Sequence, residues 1–320
     1  MKNIIFRLLN IPDLHLYDKN VGSTINYKEE CIYILKTIVS IVEKEELDAI
    51  VLGGDMYHGM LTKLDFYLET IKYIRKLKEK MGNNLLTIKG NHDISAKHNF
   101  TFYDLTVESL DLNTAKTIRY CNDKIILDLF DYTEDDSNLV RSCTEDCKVH
   151  IGIYHNSITP KGVLIDITDK LRFYPDESSI FDNIDIAIIN HVHAQGGIIE
   201  CVINGNKLKV VIPGSLNRTS LNESHLRNNA FLPLVEIDDE FNIETKFIEI
   251  GLTDVDDFFN IKKSLEIKKV SASFNEFSSK LESVKLSFDK PENDLMRLDI
   301  DEEIKILGLH YLEMANKMEH

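Results

Sequence analysis

The chain has 320 residues, 43% hydrophobic and 28% charged, the make-up of a folded globular protein and not of a disordered or fibrous one. Its net charge of −16 argues against a strong stand-alone grip on nucleic acid, which comes from Lys and Arg on phosphates. No apolar run approaches the ~20 residues that cross a bilayer.

Residues 3–12 read as a buried strand that ends at Asp13. The stretch is short and interrupted by Arg7, so it is not expected to be a signal peptide, and the expected location is the cytoplasm. Residues 27–45 carry a helical stripe of Cys31, Ile34, Leu35, Ile38 and Val42. Asp48–Gly53 is a second short strand, closed by glycines. Residues 63–80 are helical, with Leu64, Tyr67, Leu68, Ile71, Ile74 and Leu77 at the right spacing. Asn84–Lys89 is a third strand, turned sharply by Gly90. Strands alternating with helices place ligands at the carboxyl ends of the strands.

From about 115 to 250 the pattern becomes strand after strand, at 115–121, 124–131, 148–154, 184–190, 197–203, 208–213, 231–237 and 243–249. An α/β half followed by a β-rich half predicts two sheets packed face to face with helices outside. Residues 215–229 read as a polar loop without periodicity. A change of texture after Gly251 predicts a domain of residues 1–250 and a small one of residues 251–320. The second ends in a helix from about 301, with Ile304, Leu307, Tyr311 and Met314 as its apolar stripe.

Five cysteines, an odd number, are expected to be free thiols. Cys143, Cys147 and His150 have the spacing of a zinc clip, but a fourth ligand is not evident, and ordinary thiols near a strand start are the favoured reading.

Five strings recur at the predicted strand ends. They are Asp13-Leu14-His15, Gly53-Gly54-Asp55 with His58, Gly90-Asn91-His92-Asp93, Tyr154-His155-Asn156 and His191-Val192-His193. Six of the eleven histidines fall inside them, whereas His98, His150, His225, His310 and His320 do not, so the distribution is not that of scattered surface residues. Singly, each string has an ordinary explanation: Gly-Gly-Asp is a common turn, and a histidine at a strand end is often structural. Together they supply the Asp, Asn and His ligands that hold two divalent metals, a pair that hydrolyses phosphate esters. Alternate strand residues share a face, so Asp13 and His15 can grip one metal while His191 and His193 divide between two. Asp55 is placed to bridge, and the mixed N/O set suits manganese, iron or zinc better than calcium. His92, beside a ligand, is the candidate general acid, with Asp93 placed to orient it.

With these strings the sequence resembles the calcineurin-like metallophosphoesterases over about residues 3–240. The resemblance implies a four-layer α/β fold, a β-sandwich flanked by helices. It implies one metal on Asp13, His15, Asp55 and His193 and another on Asp55, Asn91, His155 and His191. Asn190 departs from the family, which usually has glycine there. Within the superfamily the chain is most similar to the SbcD / Mre-eleven DNA repair nucleases. His58 then looks like a second catalytic histidine, and Pro213-Gly214-Ser215-Leu216-Asn217-Arg218 like the segment that closes their catalytic domain. That likeness implies manganese-dependent exonuclease and endonuclease activity on DNA, a homodimer, an SMC-like ABC ATPase partner and a capping domain at 251–320. The alternative is a small-molecule phosphodiesterase or phosphatase using the same metals, which needs no DNA surface and suits the charge better.

Overall fold

The computed structural model describes residues 3–260, apart from 22–23, 60–61, 96–99, 141–145, 161–171, 175–177 and 220–226. The chain divides into two compact units at Phe259. The expected terminal helix and its stripe, like the rest of 261–320, lie outside the described residues.

The first unit opens with β1 (Ile4–Ile11), α1 (Tyr27–Lys44), β2 (Ala49–Leu52), α2 (Leu64–Met81), β3 (Leu85–Thr87) and α3 (Phe102–Leu110). There follow β4 (Thr117–Tyr120), β5 (Ile125–Phe130), β6 (Val149–His155), β7 (Ile158–Pro160), β8 (Arg172–Tyr174), α4 (Ser178–Phe181) and β9 (Ile186–Asn190). It closes with β10 (Gly197–Ile203), β11 (Asn206–Ile212), β12 (Asn229–Asp238), β13 (Ile243–Gly251) and α5 (Val255–Phe258). Phe258 and Phe259 are buried in this unit's core, so it continues past Gly251. No helix among the described residues is long and apolar enough to cross a membrane.

Two sheets form the body, in the orders β13-β12-β1-β2-β3 and β10-β11-β9-β6-β5-β4. β1, β2 and β3 are parallel to one another, as are β5, β6, β9 and β11. The two halves of the sequence do not map one to a sheet. β12 returns to pair antiparallel with β1, completing the first sheet.

Strand alternation sorts the core into layers. Phe6, Leu8, Val51 and Leu86 meet Leu127, Ile151, Ile153 and Ile188 between the sheets. Leu9, Ile11, Ile50 and Leu52 point the other way, onto the stripes of α1 and α2. Each Ile or Leu buried there contributes about 1.5–3 kcal/mol relative to exposure. The outer face of the second sheet is covered by Leu139, Ile180, Phe181 and Ile184. The result is a four-layer α/β sandwich.

The inward-facing rows do not stay apolar to their ends. The row Phe6, Leu8 reaches Asn10, Ala49 and Val51 reach Gly53, Ile151 and Ile153 reach His155, and Ile186 and Ile188 reach Asn190. The polar ends all lie at the carboxyl ends of parallel strands, and there the site is built.

Candidate metal centre

Asp13 and His15 follow β1, Asp55 follows β2, Asn91, His92 and Asp93 follow β3, His155 ends β6, and His191 and His193 follow β9. Sheet topology therefore gathers all of them at one mouth of the sandwich. His15, Asp55 and His191 have positive φ of 43°, 47° and 77°. Such backbone costs roughly 1–3 kcal/mol per residue and persists where surrounding structure enforces it. This corrects the strand-alternation argument: both His-bearing pairs lie beyond their strands, and left-handed turns aim the rings.

Among the described residues three groups of ligand atoms converge, each within 4.8 Å: two contain Asp55, with Asp13, His15 and His193 in the first and His155 and His191 in the second, and a third joins His15, His58 and His92. The Asn91 carboxamide joins the second group, with Oδ1 at 3.2 Å from His155 Nε2. In the first, the His15 and His193 Nε2 atoms face each other at 2.9 Å. Asp55 belongs to both. Its Oδ1 is 3.3 Å from His155 Nε2 and its Oδ2 is 3.6 Å from His15 Nε2.

These donors fit a pair of divalent cations. Asp55 Oδ2 and His191 Nδ1 are buried with no hydrogen-bond partner among the described residues, and both are potential ligand atoms. Mixed carboxylate, imidazole and carboxamide donors suit manganese, iron or zinc. Two glycines make the approach possible. A Cβ on Gly54, whose φ is +90°, would strike the His155 ring, and one on Gly90 would strike the Asp55 carboxylate.

The charges are tightly linked. Burial opposes ionisation of Asp55, yet His155, His15 and His92 outweigh it and hold its carboxyl well below the usual range. Burial likewise works against the His155 cation, but Asp55 and Asp13 raise its pKa to about 9. Burial, with Asp55 adding to it, pushes Asp13 up to about 7. His191 is held down at about 4 by burial and by His155. Three buried carboxylates (Asp13, Asp55 and Asp93) in one mouth call for cationic charge.

His92 and His58 stand at the rim of the first group. The His92 amide donates to Asp55 Oδ1 at 2.8 Å, and its ring Nδ1 is 2.8 Å from the His58 carbonyl oxygen. His58 Nδ1 is 3.4 Å from His15 Nδ1. Burial, then His92, pushes the His58 pKa down to about 4, so its ring is neutral near pH 7. Asp93 does not orient the His92 ring. Its buried carboxylate instead accepts from the Gly90 amide at 3.0 Å and the Met56 amide at 3.3 Å, tying the β2 and β3 loops together.

Other buried polar residues support the mouth. Asn190 ends β9, and its amide accepts from Asn10 at 2.8 Å and donates to the Tyr154 carbonyl at 3.2 Å. The departure from glycine is thus absorbed between the sheets, in space that Gly53 leaves open. Tyr27 donates to the His15 carbonyl at 2.8 Å. Asn10 could have been singled out as a lone polar residue in an apolar strand; Tyr27 carries no such signal. The zinc clip is not assembled among the described residues. His150 Nε2 binds Asp128 at 2.7 Å, Cys147 Sγ lies 3.2 Å from the Val149 carbonyl oxygen, and Cys143 lies outside them.

Residues 6–211 match the family model described as calcineurin-like phosphoesterase. Among solved structures, the chain is similar to a dimetal phosphatase from Danio rerio (10% identity, TM-score 0.48, covering 78% of this chain and 100% of that one). It is also similar to an archaeal phosphodiesterase (10% identity, TM-score 0.37, 76% and 100% covered) and to Vps29 from Chaetomium thermophilum (11%, 0.32, 78% and 100%). A family match across well over half of the chain, on a sandwich whose strand ends gather a His/Asp cluster, leads to one conclusion: this chain belongs to the calcineurin-like phosphoesterase family.

Proposed function

We propose that the protein hydrolyses phosphodiester bonds in DNA with two divalent cations, Mn2+ foremost. In this reading it is a nuclease subunit that forms a homodimer and works with an SMC-like ABC ATPase. The observation that carries the two-cation part is Asp55, one carboxylate with an oxygen turned to each ligand group. Asp13, His15, Asp55 and His193 would hold one cation, and Asp55, Asn91, His155 and His191 the other. Bound there, the pair supplies Lewis acidity toward the phosphoryl oxygens and the attacking water.

The chain's own residues do the rest. Asp55 is anionic and buried, so it offsets the repulsion between two cations. His155 Nδ1 is bonded to the Gly53 carbonyl at 2.7 Å, which fixes the ring, and its deprotonated Nε2 would be the ligand atom. His92 commits Nδ1–H to the His58 carbonyl, so that the imidazolium form would pass its Nε2 proton to the leaving oxygen and remain as the Nδ1–H tautomer. His58 holds the neighbouring His15 ring and borders the substrate position. Asp93 keeps the His92 loop against the Asp55 loop.

Support for DNA as substrate is the likeness of the His58 position and the Pro213–Arg218 string to the repair nucleases. The exposed Lys72, Arg75, Lys76 and Lys80 on α2 supply local positive charge. The second reading, a small-molecule phosphodiesterase, is favoured by the net charge of −16. Purified protein with Mn2+ is offered linear duplex DNA, single-stranded DNA and bis(p-nitrophenyl) phosphate. Cleavage of DNA supports the nuclease; cleavage of the small ester alone selects the second reading.

A further inference from the structure

The string Pro213–Arg218 has no regular structure, yet Ser215, Leu216, Asn217 and Arg218 are fully buried. Three consecutive residues bond to the loops that carry ligands. The Ser215 amide donates to the His193 carbonyl at 3.2 Å, the Leu216 amide to the Asp13 carbonyl at 3.0 Å, and the Asn217 side-chain amide to the Leu14 carbonyl. Gly214 permits the approach: a Cβ there would lie 2.9 Å from the His193 carbonyl oxygen.

The far end of this strap is pinned. Arg218 Nε donates to Glu30 Oε1 at 3.0 Å, and its second nitrogen contacts Oε2 of the same carboxylate. Its guanidinium lies 4.0 Å over the Phe258 ring. A planar fork bidentate on a carboxylate and stacked on an aromatic fixes direction as well as distance. Glu30 sits in the first turn of α1, one turn from Tyr27, whose hydroxyl binds the His15 carbonyl. The end of α1 and the strap thus grip the main chain on both sides of the Asp13, His15 and His193 group. Among the described residues, no hydrogen bond of the strap reaches the loops of Asn91 or His155.

We infer that the strap, pinned by the Arg218–Glu30 pair, sets the affinity of the Asp13/His15/His193 cation position far more than that of the Asn91/His155/His191 position, which it reaches only through the shared His191–His193 loop and the His191 amide on Asp13. Arg218, Glu30 and Asn217 are positioning residues, acting through the main chain of the ligands. The inference rests on the two-cation reading.

The test is Mn2+ binding to the full chain by calorimetry, in two backgrounds that isolate the positions. Asn91→Ala retains the strap-braced position, and His193→Ala retains the other. Outer partners of metal ligands change affinity by about 10–100-fold. Arg218→Lys should therefore weaken Mn2+ binding by about tenfold or more in the Asn91→Ala background, and by less than about twofold in the His193→Ala background. Asn217→Ala, which leaves the buried ion pair whole, should show the same asymmetry, and it decides the matter if Arg218→Lys does not fold. Equal weakening in both backgrounds, or none in either, overturns the inference. Fewer than two Mn2+ bound by the unaltered chain would instead overturn the two-cation reading.

Discussion

The His92 ring lies over the His58 ring, centroids 5.3 Å apart and planes inclined by 21°, and is bonded not to that ring but to the His58 main-chain oxygen. The tautomer of His92 is therefore set by backbone, whatever side chain stands at position 58. His92→Ala is expected to lower kcat by about 10²–10⁴-fold while Mn2+ stoichiometry stays unchanged. The loss should be larger with a dinucleotide, whose leaving alkoxide needs a proton, than with a p-nitrophenyl diester. His58→Ala keeps the carbonyl and should cost less. Steady-state kinetics on both esters measure this; equal losses in the two variants would show that the His58 ring itself acts on substrate.

Asp55 is the one carboxylate shared by both ligand groups, so Asp55→Asn should weaken both cation positions together. Asn91→Ala or His155→Ala should empty one position, abolish hydrolysis and leave the far-ultraviolet circular dichroism unchanged. Mn2+ titration followed by electron paramagnetic resonance counts the bound ions. Full activity in Asn91→Ala contradicts the two-cation assignment.

Asn10 and Asn190 bond across the sandwich, beneath the ligands. Asn190→Ala leaves the Asn10 amide and the Tyr154 carbonyl without this partner, at a cost of about 1–3 kcal/mol. The double variant with Asn10→Ala should cost less than the sum of the two singles, since the pair is lost once. Urea unfolding at fixed pH reads both quantities; strict additivity would mean that the bond carries no coupling.

Two carboxylates away from the centre make stability fall in acid. Burial works against the ionised form of Glu236, but Lys246 and Arg7 hold its pKa below the ordinary value. Burial likewise opposes Asp104, and Lys89 and Thr101 hold it down. A depressed folded-state pKa gives a contribution that is complete above the unfolded value, about 4, and is lost as pH falls through the folded one. The urea midpoint should therefore drop as pH falls below about 4, and Glu236→Gln should make that drop shallower. Glu236 is buried, but its Lys246 and Arg7 partners are partly exposed, as are Asp104 and Lys89, so added salt should shrink the effect.

Much of the centre was legible in the sequence because metal chemistry restricts residue types. Asp, Asn and His are among the few side chains that ligate such a pair, and the strands themselves show as short apolar runs. What stayed hidden depends on partners distant in sequence. The polar string SLNR reads as a loop, yet it is buried: Arg218 pairs with Glu30, the Asn217 side-chain amide donates to the Leu14 carbonyl, and the Ser215 hydroxyl donates to the Asn217 carbonyl. Asp93 adjoins His92 in sequence, but its carboxylate turns to the Met56 and Gly90 amides. α3 is rich in aromatic and β-branched residues, which weakens its helical signature. Its start is fixed by a capping box between Thr101 and Asp104. The membership of β12 in the first sheet follows from hydrogen bonding some 230 residues from β1, which no local period records.

That pairing orders events during synthesis. β1 carries the first two proposed ligands on its outgoing loop, but its antiparallel neighbour is the stretch Asn229–Asp238. On the ribosome, every ligand emerges while β1 still presents one unpaired edge, the kind of edge that recruits foreign strands. The closing contacts have high sequence separation, so the catalytic mouth is among the last parts of the unit to lock. A nascent chain halted before residue 229 would carry a full ligand set on an unfinished sheet.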